Sequence, residues 1–126
     1  MKVLVLSQYY WPETFCINEV VDSLQGQGCH ITVLTGQPNY PQGKVFGGYH
    51  IGGFGLQQHK LGYDIYRVPL VPRGSGGAIG LALNYISFVL SACVLGPWLL
   101  RKQHFDVIFV YAPSPIIQAV PGVWLA

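Results

Sequence analysis

The sequence predicts an α/β protein built on an incomplete, doubly wound parallel sheet of about four strands. Two observations carry that expectation. Short apolar runs alternate with longer segments, the first of which repeats its apolar residues at helical spacing. The loops that follow the first two runs are rich in proline, aromatic and amide residues. Strands joined through helices run parallel with right-handed crossovers, and ligands then bind beyond their carboxyl ends.

Val3-Leu4-Val5-Leu6 is the first strand, and Ile17, Val20, Val21 and Leu24 mark one face of the helix after it. Gly26 and Gly28 suit that helix's end, and His30-Ile31-Thr32-Val33-Leu34-Thr35 is the second strand. Residues 36–44, with two prolines and two glycines, exclude helix and central strand. Residues 45–60 are glycine-rich and read as a long mobile excursion without defined structure. Residues 64–70 form a third strand, whose end Pro69 and Pro72 push toward a sheet edge.

Residues 79–100 carry no charge and are long enough to cross a bilayer. Asn84, Ser87 and Ser91 nevertheless gather on one helical face, and Gly96-Pro97 should interrupt the last turns. That pattern favours a buried or membrane-contacting helix over a span. Arg101 and Lys102 suit a helix C-terminus and equally suit anionic headgroups. Residues 105–110 are the fourth strand, expected beside the first, and residues 116–126 begin another apolar helix. The fourth strand is then an exposed apolar edge, as in a fragment or in a chain whose edge something else covers.

A chain of 126 residues and 13.9 kDa holds one domain. Only 10% of its residues are charged against 51% hydrophobic, so some apolar surface is left uncovered. A net charge of +2 without a basic run argues against nucleic acid. Cys16, Cys29 and Cys93 are odd in number and lack zinc-ligand spacing, which points to no metal and a reducing compartment. Residues 3–6 are too short for a signal-peptide core, so the start reads as cytosolic.

Gly43-Lys44 fails as a phosphate-binding loop, because Gly36 lies too far upstream and Val45 replaces Ser or Thr. No glycine fingerprint opens the first helix, so nicotinamide cofactors are not expected. Glu13 either caps the helix or meets a substrate hydroxyl, and Asn18 is either surface or crevice. His30, His50, His59 and His104 read as structural. Tyr9, Tyr10 and Trp11 cannot all point inward, so one or two rings should face the crevice, where they stack on sugar faces.

On these residues the chain resembles the N-terminal domain of retaining GT-B glycosyltransferases of family 4, particularly the bacterial branch that builds O-antigen and capsule units, such as L-fucosamine transferases. The likeness is carried by residues 3–13, by Asn18, by residues 28–36, and by Asp106-Val107-Ile108 followed by Ser114-Pro115. Its most specific stretch is Pro38-Asn39-Tyr40-Pro41-Gln42-Gly43-Lys44. Two positions depart from the family. Phe15-Cys16 stands near the place of a common Gly-Gly pair, and Gly28-Cys29-His30 replaces Gly-His-Glu.

The resemblance implies transfer from a nucleotide-sugar donor to a polyprenyl-diphosphate-linked acceptor, with retention, in lipopolysaccharide or capsule synthesis on the inner face of the cell membrane. It implies a peripheral enzyme touching the bilayer surface. Residues 1–126 correspond to part of the acceptor-binding domain, and the resemblance puts the donor-binding groups in a C-terminal domain. No catalytic residue, metal or cofactor is therefore assigned here, and the piece alone is expected to be inactive. The expected acceptor contacts are Gln8, Tyr9, Tyr10, Glu13, Asn18, Asn39, Tyr40, Lys44 and Ser114, with Lys44 on a phosphate. Lys44, Lys60, Arg67, Arg73, Arg101 and Lys102 are the candidates for headgroup or diphosphate contact. The rival from another class is a small non-enzymatic α/β binding protein anchored by a span at 79–100. A flavodoxin or response-regulator reading lacks its phosphate loop or acidic cluster.

Overall fold

The computed structural model describes residues 1–8, 10, 16–37, 49, 55–58, 62–71, 77–111 and 120–125. In chain order its elements are β1 (Lys2–Ser7), α1 (Cys16–Gly26), β2 (His30–Gly36), β3 (Gly55–Gln58), β4 (Asp64–Val68), α2 (Ala78–Leu99), β5 (Val107–Tyr111) and α3 (Val120–Leu125). The strands make one sheet in the order β3-β4-β2-β1-β5. All neighbours are parallel except β3, which runs antiparallel to β4.

β1 lies inside the sheet between β2 and β5, and its apolar run does not alternate: Val3 through Leu6 are buried, as a parallel strand covered on both faces requires. Val3 and Val5 face α1 and join Ile17, Val21, Ile31, Val33 and Ile65. Leu4 and Leu6 face the other layer and join Leu34, Val68, Phe88, Ala92 and Leu100. α1 ends where the chain turns through Gly28 at φ 91°, and the Cys29 amide then bonds the Leu24 carbonyl.

α2 meets the sheet through Asn84, Phe88, Ala92 and Gly96, a row with one residue every four. A Cβ on Gly96 would stand 3.2 Å from Leu34, so the missing side chain sets how closely helix and β2 approach. The helix continues past Gly96-Pro97, which the sequence reading expected to interrupt it. Pro97 lies on the outer side near the end, and the turn still closes with the Leu100 amide on the Gly96 carbonyl at 3.0 Å.

The sheet has five strands instead of about four. β3 lies in the glycine-rich excursion, where Gly55-Leu56-Gln57-Gln58 has no β-branched residue to announce a strand. It forms by pairing, Leu56 opposite Tyr66 and Gln57 opposite Ile65. β4 is consequently not the edge that Pro69 and Pro72 suggested. Pro69 follows the last paired residue, Val68, and costs the ladder nothing. β5 lies beside β1 at the open edge, as expected.

Candidate functional site

The sheet reverses its winding between β1 and β5, since the chain leaves β1 toward β2 and returns on the other side for β5. That switch point is where an open α/β sheet has a crevice, beyond the carboxyl ends of the two strands. Ser7 and Tyr111 are register partners there. The first turn of α1 comes to the same place, and Cys16 Sγ lies 3.2 Å from the Tyr111 hydroxyl. That hydrogen bond first, and burial second, pushes the Tyr111 phenol above its ordinary value. Neither residue is among the acceptor contacts expected from the sequence, although Cys16 stands near the place of the resembled family's Gly-Gly pair. The signal was available, because the switch-point rule sets the start of the first helix against the end of the last strand.

Gln8 and Tyr10, both expected as acceptor contacts, are buried. Gln8 is fully buried and donates through Nε2 to Asn84 Oδ1 of α2. Its carbonyl accepts from the Gly36 amide at 3.3 Å and the Thr35 hydroxyl at 3.2 Å, which joins the ends of β1 and β2. Tyr10 is also fully buried, in the apolar layer under α1, with its ring edge-on to Tyr63. The Tyr63 hydroxyl lies 3.1 Å from Asp22 Oδ1, to which it donates, and shares a second hydrogen bond with the Tyr10 hydroxyl. In this structure, then, both side chains pack against the protein's own layers. Asn18 is half-buried in the first turn of α1. Tyr9, Glu13, Asn39, Tyr40, Lys44 and Ser114 lie outside the described residues, as do Lys60 and Arg73.

At the far side of β2, Arg67 is withdrawn from solvent, 3% exposed, which removes it from the candidates for headgroup contact. Its Nη1 donates to the Gly36 carbonyl and its Nε to Gln57 Oε1, both at 2.8 Å. The guanidinium also sits 4.9 Å over the Tyr49 ring, whose hydroxyl accepts from Gln57 Nε2 at 2.8 Å. One buried cation thus holds together the end of β2, the strand β3 and Tyr49 between them. Alternation along β4 gave no warning of it, since an arginine inside a strand usually reads as solvent-facing.

Among the described residues no three His, Cys, Asp or Glu side chains gather as metal ligands. A cavity of about 850 Å³ lies away from the crevice, among the last turn of α2, the segment before β5, and α3. Its walls are largely apolar and belong to the uncovered flank of the sheet edge, with Asp106 holding the Lys2 amide nearby. No family model, no curated protein and no solved structure matches the chain.

Proposed function

We propose that this chain is the acceptor-side domain of a retaining glycosyltransferase of GT-B architecture, acting at the inner surface of the cell membrane. In this reading it receives a polyprenyl-diphosphate-linked sugar during synthesis of a cell-surface polysaccharide, while a nucleotide-sugar donor is held by a second domain. The observation that carries the reading is the switch point between β1 and β5, because one family-like loop directly follows β1, Ser114 follows β5, and the other loop follows β2, the neighbour of β1. In this reading Tyr9, Glu13, Asn39, Tyr40 and Ser114 are acceptor contacts, and Lys44 pairs with the diphosphate. Gln8 and Tyr10 anchor the first loop from below. The domain's task is to present an acceptor hydroxyl in one orientation, since transfer gains most from fixed geometry and preorganised charge.

Titration with a short, soluble prenyl-diphosphate-linked monosaccharide tests this without a bilayer. Saturable binding is expected, weakened about tenfold by Lys44→Ala, or about 1.4 kcal/mol. Equally tight binding of the free monosaccharide, or no effect of Lys44→Ala, removes the assignment.

The second reading, a membrane-anchored binding protein in which α2 spans the bilayer, is favoured by the absence of charge along the 22 residues of α2. The packing of Asn84, Phe88, Ala92 and Gly96 on the sheet weighs against it, because a spanning helix would surrender that whole row.

A further inference from the structure

We propose that the outward face of α2, continued by α3, docks on an anionic lipid bilayer with α2 lying in the plane of the interface. The proposal rests on the membrane-surface part of the function above and on none of its sugar chemistry.

α2 is amphipathic in the reverse of the usual sense. Its polar groups point into the protein. Asn84 donates to the Val71 carbonyl at 2.7 Å, Ser87 accepts from the Val71 amide at 2.8 Å, and Gln8 reaches Asn84 from β1. Its outer stripe is apolar from end to end: Ile79, Leu83, Ile86, Leu90, Val94 and Trp98 are all exposed, Val94 by 70%. The stripe is about 28 Å long at the helical rise. α3 extends it, since Leu125 packs against Gly96 while Val123 and Trp124 stay outside, Trp124 at 67% exposure.

The surroundings select a lipid surface over a protein. A non-obligate protein interface carries hydrogen bonds within its patch, whereas Ile79, Leu83, Ile86, Leu90 and Val94 of this stripe have no polar side-chain atom. At its carboxyl end the Arg101 guanidinium stacks 5.0 Å above the Trp98 ring and donates to the Trp98 carbonyl, with exposed Lys102 beside it. An aromatic ring with a basic side chain is the pairing that seats at the headgroup level. Charge supports the sign: Arg101 and Lys102 are both exposed at this end, and α2 itself carries no Asp or Glu. The hydrogen bonds of Asn84 and Ser87 fix the inner face to the sheet, which sets the helix flat on the surface. The stripe's amino-terminal end lies near the crevice, because Asn84 meets Gln8 at the end of β1.

Sedimentation of the full chain with vesicles of phosphatidylcholine, with and without phosphatidylglycerol, tests the proposal. The chain should pellet with the anionic vesicles, show blue-shifted tryptophan emission, and be released by alkaline carbonate. Replacing Leu90 and Val94 together by Glu should weaken binding more than tenfold with an unchanged circular dichroism spectrum. Arg101→Gln with Lys102→Gln, which leaves the stripe intact, should weaken it roughly thirtyfold on anionic vesicles only. The proposal is overturned by absence of sedimentation, by equal binding of the charge variant, or by resistance to carbonate. A vesicle-free dimer that the two Glu substitutions dissolve also overturns it, in favour of a second copy. A chain that binds vesicles but not the prenyl-diphosphate sugar keeps the docking face and loses the transferase reading; the converse loses the docking face alone.

Discussion

At the scale of single residues, the most consequential placement is Tyr10, whose ring fills the core while its hydroxyl begins a chain through Tyr63 to Asp22. The run Tyr9-Tyr10-Trp11 already required at least one inward ring, but nothing in three adjacent aromatics says which. The answer depends on Tyr63, a residue distant in sequence. Burial is the first cause that pushes both phenols well above their ordinary value. At Tyr10 the hydrogen bond with Tyr63 works the other way and is outweighed, while at Tyr63 the contact with Tyr10 adds to burial. A phenol raised in the folded state keeps its proton after the unfolded chain has lost it, at about pH 10. The associated stability is therefore fully present below that pH and is lost as pH rises toward the folded value. Urea unfolding followed through the alkaline range should show stability falling by up to about 1.4 kcal/mol per pH unit for each retained proton. Tyr63→Phe should roughly halve that slope; an unchanged slope would mean that the pair is not the source.

At the scale of elements, what the sequence revealed depended on how local the cause was. β1, α1, β2 and α2 were legible because apolar period and glycine punctuation act within one segment. β3 was not, since Gly55-Leu56-Gln57-Gln58 becomes a strand only through its pairing with β4 and the reach of Arg67 to Gln57. Residues 79–100 were legible as a helix, and Asn84 with Ser87 as a face, but not which face met the protein. The structure turns that polar face inward and leaves larger apolar residues outside. A direct consequence is an inversion of the usual mutational cost. Phe88→Ala, under the helix, should destabilise by about 3–5 kcal/mol, while Val94→Ala on the outer stripe should stay within about 0.5 kcal/mol. Chemical denaturation in vesicle-free buffer reads both. Equal losses would mean that the stripe is packed in solution and that the helix is oriented otherwise.

At the scale of the whole molecule, the sheet is asymmetric: β3 caps one end, and among the described residues nothing pairs with the outer edge of β5. The edge is apolar on one face through Val107 and Phe109, exposed by 44% and 39%, and flanked on the other by the open groove beside Leu4 and Ile108. Within Val-Ile-Phe-Val-Tyr there is no lysine, proline or inward charge, the devices by which proteins blunt such edges. A free edge of this composition accepts any strand offered to it, and at sufficient concentration the nearest one belongs to another copy. The chain should therefore scatter light increasingly with concentration, through β5 and independently of vesicles. Val107→Lys puts a charge on the exposed face of the first paired residue without entering the core, so it should suppress that scattering at a cost of at most about 1 kcal/mol in unfolding free energy. Scattering that persists in Val107→Lys but disappears when Leu90 and Val94 are changed to Glu would transfer the association from the sheet edge to α2. The edge would then be closed in solution by the chain itself.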